Sequence, residues 1–191
     1  MAIAVGILGG VFDPPHLGHV ALARAAVREL GLEQLLVLVV ADPGHKHAIL
    51  AAETRFELAR LAFADVPEAS VELDSHARTV DSLEERRLED AVFILGADEL
   101  ADFGHWKDPG RVLELVRLGV AMRPGTTRDE LESVRRRLSA PARVVAFEME
   151  PVAISSSEIR RRVARGEPID DLVPPAVAEA ISRLGLFTTP E

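Results

Sequence analysis

Cysteine is absent from the 191-residue sequence. This absence excludes disulfide bonds, thiolate metal ligands and a catalytic thiol from the chemistry of the protein. A chain without cysteine is compatible with a reducing compartment, and we expect a cytoplasmic location.

Hydrophobic runs long enough to span a membrane are also missing from the sequence. The residues from Ala2 to Val11 are mostly apolar, but no Lys or Arg precedes them and Gly6, Gly9 and Gly10 interrupt them. We therefore interpret this segment as a buried strand rather than a signal peptide, and expect no membrane association.

Positive charge is scarce, since 22 Lys and Arg residues stand against 31 Asp and Glu residues, giving a net charge of −9. Broad binding to nucleic acid or to an anionic membrane needs a positive face, so we expect neither partner. The basic residues concentrate in two runs, at 135–137 and 160–162. Either run alone is typical of a solvated helix face.

The length and the 48% hydrophobic content favour a single domain over residues 1–191. Short aliphatic runs alternate with stretches of helical period, as they do when parallel strands alternate with crossover helices. The predicted strands are Ile3–Leu8, Leu35–Val40, Val71–Leu73, Ala91–Leu95, Leu118–Met122 and Arg143–Ala146. The predicted helices are Leu17–Leu30, Glu53–Ala64, Val80–Arg87, Pro109–Val116, Arg128–Leu138, Ser156–Ala164 and Pro174–Leu184.

This alternation predicts a doubly wound, Rossmann-like α/β fold built on a parallel sheet. The run Leu35–Val40 is apolar on both faces, so we expect helices on both sides of the sheet. The helical segment at about 155–187 should pack on this domain. In such folds ligands bind beyond the carboxyl ends of the strands, and residues that directly follow a strand are therefore the candidates for function.

The first strand ends in Gly9 and Gly10, which allow a sharp turn and the close approach of a ligand. A helix should then start near His16 or Leu17, where its unpaired backbone N–H groups form an anion site. His16 and His19 lie three residues apart and share a face of that helix, so their ring N–H groups can join a phosphate site.

Three other interpretations of these histidines stay open. Spacing by three is permissible for a metal site, but no companion ligand lies nearby in the sequence. Alternatively, His16 could simply start the helix while His19 packs beside it. Dinucleotide binding is a third option, although the sequence has neither a G-x-G-x-x-G loop nor a Walker-type G-x-x-x-x-G-K-[ST] loop.

A second candidate helix start lies near the end of the chain. Ser155 and Glu158 have the spacing of a capping box, in which the serine side chain caps the helix. A plain helix cap would explain the serines, but it does not explain the pairing with Arg160.

Two long motifs resemble one known family. The segment Gly9-Gly10-Val11-Phe12-Asp13-Pro14-Pro15-His16-Leu17-Gly18-His19 resembles the G-G-x-F-D-P-x-H-x-G-H motif of the nicotinate-mononucleotide adenylyltransferases, members of the H-x-G-H nucleotidyltransferase superfamily. The segment Ile154-Ser155-Ser156-Ser157-Glu158-Ile159-Arg160 resembles their I-S-[ST]-[ST]-x-I-R motif. Further matches follow in order at 44–46, 94–100, 106, 123–125, 172–174 and 184–187.

The resemblance implies a domain of the nucleotidyltransferase type that transfers the adenylyl group of ATP to nicotinate mononucleotide. The products would be nicotinate adenine dinucleotide (deamido-NAD) and pyrophosphate, in NAD biosynthesis. It also implies Mg²⁺, bound mainly through the ATP phosphates and without dedicated protein ligands.

The resemblance also implies roles for individual residues. We expect His16 and His19 to hold the ATP phosphates, with His19 and Lys46 stabilising the transferring group. Arg160 and the backbone of Ser155 and Ser156 should hold the leaving pyrophosphate. The ATP-binding set comprises Gly9, Gly10, Val11, Phe12, His16, Gly18, His19, Gly96, Asp98, Arg123, Ile154, Ser155, Ser156 and Arg160.

For Gly96, Asp98 and Lys46 a simpler explanation stays open. The segment that begins at Gly96 and includes Asp98 could be only a turn and a helix N-cap. Lys46 on its own could be an exposed surface lysine.

Acceptor recognition is where the sequence departs from the family pattern. The family usually carries Pro and Asn before its P-P-H-[KR], whereas this chain has 39–46 as Val-Val-Ala-Asp-Pro-Gly-His-Lys. The family's S-Y-T-x-x-T-L corresponds to 77–83, where Thr79 and Leu83 match but Ala77 and Arg78 replace Ser and Tyr. The expected acceptor-binding residues are Asp13, His45, Lys46, Arg78, Thr79 and Trp106.

Of this set, Arg78 could pair with an acceptor carboxylate or phosphate, and Trp106 could stack on the pyridine ring. A single tryptophan is, however, often a core or rim residue. The departures leave two alternatives open: the same chemistry on nicotinamide mononucleotide or phosphopantetheine, or a nucleotide-binding regulator without turnover. The sequence also leaves open a homo-oligomer.

Overall fold

The computed structural model describes residues 5–44, 48–122, 132–133, 135–150 and 152–188. Its strands are β1 Val5–Gly10, β2 Gln34–Val40, β3 Ala69–Asp74, β4 Val92–Gly96, β5 Arg117–Met122 and β6 Val144–Glu148. Its helices are α1 Leu17–Leu30, α2 Ala52–Phe63, α3 Thr79–Arg86, α4 Ala97–Asp102, α5 Pro109–Leu115, α6 Ser156–Ala164 and α7 Pro175–Leu184. Short 3₁₀ turns lie at Phe103–His105 and Pro141–Arg143. Within the described ranges, every helix is too short or too polar to cross a bilayer.

The six strands form one sheet in the order β3-β2-β1-β4-β5-β6. Each neighbouring pair is parallel. The chain runs outward in one direction from β1 to β3 and in the other from β4 to β6, so the strand order reverses between β1 and β4. In a doubly wound fold this is the point at which a crevice opens beyond the strand ends. The predicted fold class is confirmed.

The sheet is buried on both faces, as the apolar run in β2 predicts. Leu35, Val37 and Val39 join the hydrophobic cluster that includes residues of α1, α2, α6 and α7. Leu38 points to the other side and joins the cluster that includes residues of α3, α4 and α5. Successive side chains of a strand face opposite sides, and a strand that is apolar at every position therefore needs helices on both.

Helix α1 connects β1 to β2 across the first of these clusters. Leu22, Ala25 and Ala26 are buried and lie three and four residues apart, the spacing of one helix face. The helix ends at Gly31, which adopts a left-handed conformation with φ of 63° and donates its N–H to the carbonyl of Val27. Ile159 of α6 and Val177 of α7 belong to the same cluster. The C-terminal helices therefore pack on the same face of the sheet as α1.

Two details of the sequence interpretation need correction. Gly9 and Gly10 do not form a turn, because they remain in β1 and pair in register with Leu38 and Val39 of β2. The chain leaves the sheet only at Val11. In addition, helix α4 is missing from the predicted helices and was anticipated only by the N-cap alternative at Gly96, since its six residues are too few to show a helical period. Of the predicted helix over 128–138, residues 128–131 and 134 lie outside the described residues, while 132, 133 and 135 are helical and 136–138 form a turn and a bend.

Candidate active site

The loop from Val11 to His16 carries the first motif past the end of β1. Phe12 is buried with φ of 53°, a conformation that costs energy for a residue other than glycine. Its ring meets the edges of the His19 ring at a centroid distance of 4.9 Å and the Phe63 ring at 5.7 Å. A Cβ atom on Gly10 would lie 2.8 Å from the Phe12 ring, so glycine is required where this ring folds back over the strand.

His16 and His19 lie together at the start of α1, as the sequence predicts. Their rings stack with centroids 3.7 Å apart at an angle of 26°. The backbone N–H of His16 donates to Nδ1 of His19 at 3.2 Å. A neutral imidazole that accepts at Nδ1 carries its proton at Nε2, and His19 therefore presents an Nε2–H donor. A Cβ atom on Gly18 would lie 3.0 Å from the His16 ring, which explains the glycine between the two histidines.

The backbone at the start of α1 is less available than expected. The N–H of Leu17 donates to the carbonyl of Leu172 at 2.9 Å, and the N–H of His19 donates to the carbonyl of His16 at 2.9 Å. These N–H groups already have partners within the chain. The expectation of unpaired backbone donors at this helix start is therefore wrong for these two groups, and the imidazole side chains gain importance as donors.

The second motif docks directly on the first. Ser155 caps α6, its hydroxyl accepting from the backbone N–H of Glu158 at 3.2 Å, as the capping-box spacing predicts. The Ser156 hydroxyl donates to the carbonyl of Pro14 at 2.8 Å, and the Arg160 guanidinium donates to the carbonyl of Asp13 at 2.8 Å. Two segments more than 140 residues apart in sequence thereby become one site.

Asp13 ties the first motif to the segment before α2. Its buried carboxylate accepts from the backbone N–H of Ile49 at 2.6 Å and of Leu50 at 3.4 Å. Asp13 belongs to the expected acceptor-binding set, and in this structure its carboxylate engages main-chain donors of the β2–α2 connection.

Sequence reasoning missed Arg55, whose side chain is only 1% exposed. Its guanidinium donates to the carbonyls of Leu50, Val11, Val40 and Ala41 at 2.8 to 3.1 Å. Burial lowers the pKa of the guanidinium, while the nearby Asp13 and Glu53 carboxylates raise it. These bonds join the loop after β1 to the end of β2 and the start of α2.

A signal for Arg55 was available in the sequence. It precedes Leu58, Ala59 and Ala62 by three, four and seven residues, so it lies on the apolar face of α2. An arginine at such a position is expected to be buried and hydrogen-bonded.

A cavity of about 640 Å³ opens beside the glycine strand end. It brings together the predicted residues Gly9, Gly10, Val11, Arg78, Thr79 and Trp106. Its other walls come from β2, β3, β4 and the segments around α3 and α4, with Leu38, Val40, Pro43, Asp74, His76, Ala77, Ser82, Leu83, Phe93, Glu99, His105 and Lys107. His16, His19 and Arg160 are not among these lining residues, so the histidine site and the cavity are neighbours that share the β1 end.

Trp106 is half-buried in the wall of this cavity. Its ring meets the Phe93 ring edge-on at 5.8 Å and the Phe103 ring at 5.2 Å. It is therefore both a packing residue and a lining residue. The aromatic support fixes its orientation, as stacking on a flat ligand would require.

His76 is a second residue that sequence reasoning missed. Its Nδ1 lies 2.9 Å from Oδ1 of Asp74, and its Nε2 lies 3.0 Å from Oε2 of Glu85. The hydrogen bond with Asp74 is the largest cause that raises the pKa of His76, and Glu85 adds to it.

The remaining predicted residues divide into two groups. Gly96 ends β4 and its N–H donates to Oε2 of Glu99 at 3.2 Å, while Asp98 is exposed in the first turn of α4 and Ile154 is half-buried. A helix therefore does follow Gly96, as the simpler explanation held. His45, Lys46 and Arg123 lie outside the described residues.

The parallel sheet, the strand-order reversal and the paired histidines at a helix start define a nucleotide-binding protein of the doubly wound α/β class. The family model described as Cytidylyltransferase-like matches residues 7–162. A relative from Thermomicrobium roseum, named "Probable nicotinate-nucleotide adenylyltransferase", is 38% identical, with 98% of this chain and 92% of the relative covered. A relative of the same name from Thermus thermophilus is 40% identical over 96% of this chain and 98% of its own length.

The solved structures agree on the fold. The Plasmodium falciparum nicotinic acid mononucleotide adenylyltransferase complexed with NaAD superimposes with a TM-score of 0.78 at 17% identity, covering 98% of both chains. The chain belongs to the nicotinate-nucleotide adenylyltransferases within the cytidylyltransferase-like family.

Proposed function

We propose that the chain transfers the adenylyl group of ATP to nicotinate mononucleotide, forming deamido-NAD and pyrophosphate in NAD biosynthesis. The observation that carries this proposal is the docking of the second motif on the first. Arg160 contacts Asp13 and Ser156 contacts Pro14, in the loop that leads into the stacked histidines, and these contacts support a phosphate-binding site there.

For this reaction the protein has to align the two substrates and neutralise their negative charge. A phosphate oxygen of nicotinate mononucleotide attacks the α-phosphorus of ATP, and the bond from that phosphorus to the bridging oxygen of the β-phosphate breaks. The second pKa of a phosphate monoester is near ~6, so the attacking group is largely dianionic at neutral pH and a general base adds little. Rate enhancement then comes from positioning and from stabilising charge on the phosphoryl oxygens.

The histidines supply the donors for the ATP phosphates. His16 and His19 bind them, and the Nε2–H of His19 stabilises charge on the transferring group together with Lys46. The contact between the His16 backbone and Nδ1 of His19 supports this role, since it keeps the proton on Nε2. Arg160 and the backbone at Ser155 and Ser156 bind the departing pyrophosphate.

The rest of the ATP site is proposed along the neighbouring strand ends. Gly96 and Asp98 would face the ribose and adenine of ATP, with Arg123 nearby. Ile154 would lie beside the nucleotide where the second motif begins.

The cavity beside Gly9 and Gly10 is the proposed acceptor site. Trp106 stacks on the pyridine ring, and Arg78 with the start of α3 at Thr79 binds the carboxylate or phosphate of the acceptor. Asp13, His45 and Lys46 complete the acceptor-binding set.

The residues of the site fit a Mg²⁺ ion that is bound through the phosphates of ATP. Among the described residues, no group of three or more His, Asp or Glu side chains could cage a metal ion. Mg²⁺ usually keeps several waters and binds through substrate phosphates, which His16, His19 and Arg160 would hold here. When bound, the ion neutralises charge on the phosphates during transfer. The proposal also includes a cytoplasmic location.

The test offers the purified protein ATP and Mg²⁺ with one acceptor at a time and measures pyrophosphate release. Nicotinate mononucleotide should give the highest kcat/KM, because Arg78 lines the cavity and favours an anionic ring substituent. Nicotinamide mononucleotide is the matched control, since it differs at that substituent alone. A higher kcat/KM with nicotinamide mononucleotide or phosphopantetheine would show that this compound, and not nicotinate mononucleotide, is the acceptor. If none of the three acceptors gave pyrophosphate, the protein would be a nucleotide-binding regulator without turnover.

A further inference from the structure

His76 lies between two carboxylates in the wall of the acceptor cavity. Asp74, at the end of β3, accepts from the His76 backbone N–H at 3.1 Å and faces Nδ1 of its ring at 2.9 Å. Glu85, in the last turn of α3, faces Nε2 at 3.0 Å. The imidazole thus bridges a strand end to a helix.

This arrangement requires a doubly protonated ring. A neutral imidazole has one N–H donor and one lone pair, so it can donate to one carboxylate while its lone pair meets the oxygen of the other. Two donors are needed for contacts of 2.9 and 3.0 Å. The imidazolium supplies both, and each becomes a charge-assisted hydrogen bond.

The two partners differ in how firmly they are held. The Asp74 side chain is 6% exposed, whereas the Glu85 side chain is 74% exposed. When the ring loses a proton, the contact with Asp74 is therefore the one to persist, and the contact with Glu85 breaks. The connection that His76 makes between β3 and α3 is then lost at its α3 end.

The contacts of His76 flank the segment at the start of α3 that we propose binds the acceptor. Ala77 and Arg78 connect His76 to Thr79, the first residue of α3, and these three residues line the cavity. We propose that the His76 imidazolium is a positioning residue that holds this segment in place for an anionic acceptor, making acceptor affinity depend on pH. This inference rests on the proposed function, because it concerns the acceptor side of the same site.

Other charged groups surround the bridge. Arg86 of α3 pairs with Glu72 of β3 at 2.8 Å, and Arg78 lies on the same segment as His76. Lys107, which pairs with Asp81, and His105 line the same cavity. Glu72 is already engaged by Arg86, so the two carboxylates in contact with the ring are those of Asp74 and Glu85.

The sign of the effect follows from the raised pKa of His76. A group with a raised pKa keeps its proton, and the contacts that need it, at pH values below that pKa. The bridge is therefore complete at low pH and is lost as the pH rises through the pKa of His76. The KM for the acceptor should rise over the same range, while kcat stays level.

The experiment measures the KM for nicotinate mononucleotide between pH 6.5 and 9, at saturating ATP and Mg²⁺, in the wild type and in His76→Gln. We expect the wild-type KM to rise roughly three- to tenfold, the size of one ordinary net hydrogen bond, because solvent screens the contact with the exposed Glu85. In His76→Gln the KM should be high throughout and lack this rise. Glu84→Gln is the matched control, because Glu84 precedes Glu85 on the same helix but pairs with Arg111 rather than with His76, so it should keep the wild-type pH dependence.

A second measurement separates positioning from folding. Trp106 is the only tryptophan and the chain has no tyrosine, so its fluorescence reports acceptor binding without turnover. Glu85→Gln changes an exposed side chain, spares the fold and should weaken binding at pH 6.5 in the same direction. A KM that rises equally with pH in His76→Gln and in the wild type would overturn the inference while leaving the proposed function intact. Absence of turnover with every acceptor would overturn the proposed function itself.

Discussion

The guanidinium of Arg160 donates to the backbone carbonyl of Asp13 at 2.8 Å, although 147 residues separate them. Arg160 is on α6 and Asp13 is in the loop after β1, so this bond joins a C-terminal helix to the first strand end. It holds the guanidinium beside the helix start that carries His16 and His19.

Replacing Arg160 by lysine should lower kcat/KM for ATP about tenfold or more, because a single ammonium group cannot reproduce the fork of donors that contacts both protein and phosphate. Arg161→Lys is the control, since Arg161 is 68% exposed and pairs with Glu158 on the same helix. Steady-state kinetics with varied ATP makes the comparison. Equal losses in the two variants would remove Arg160 from the phosphate site.

Gly18→Ala should displace the His16 ring, because the added Cβ atom would lie 3.0 Å from it. We expect kcat/KM to fall about tenfold or more, since a misplaced donor no longer meets the transition state. Gly104→Ala is the control, as no atom lies within 4 Å of its added Cβ. Unchanged kinetics in Gly18→Ala would show that the histidine stack tolerates movement.

Arg55→Met should lower the free energy of unfolding by about 3–5 kcal/mol, because it leaves four buried carbonyl oxygens without their donor and removes the positive charge near the Asp13 carboxylate. Arg60→Met, on an exposed position of the same helix, should change it by less than about 1 kcal/mol. Urea unfolding followed by circular dichroism measures both. A loss below 1 kcal/mol in Arg55→Met would contradict the importance given to these bonds.

Arg78→Gln should raise the KM for nicotinate mononucleotide more than that for nicotinamide mononucleotide, since only the first has the ring carboxylate. A loss of about 1.5–3 kcal/mol for a hydrogen bond to a charged group corresponds to roughly ten- to hundredfold in that KM. An equal change for both acceptors would place Arg78 on their shared phosphate instead.

Local pattern was enough to predict the sheet. The run Leu35–Val40 predicted burial on both faces, and its side chains do divide between the two hydrophobic clusters. The spacing of His16 and His19 likewise predicted their meeting at one helix start, because that geometry depends on a single turn. The fold class and the family are confirmed, while the roles of the individual site residues and the single-domain division stay predictions.

Contacts between distant segments could not be predicted in the same way. The four carbonyls that Arg55 binds come from three separate segments, and only the packing of α2 against β1 and β2 brings them together. The stretch at 74–85 shows Asp, His and Glu in the sequence, but whether both ring nitrogens of His76 meet carboxylates depends on how α3 lies beside β3. Periodicity carries no information about that placement.

The most direct measurement mixes the protein with ATP, Mg²⁺ and nicotinate mononucleotide and quantifies deamido-NAD and pyrophosphate in the wild type and in His19→Ala. We expect the wild type to form the two products in equal amounts, and His19→Ala to be slower by roughly a hundredfold or more, the cost of losing one transition-state donor. Tight ATP binding without either product, or turnover in His19→Ala within a few-fold of the wild type, would contradict adenylyl transfer at this histidine site.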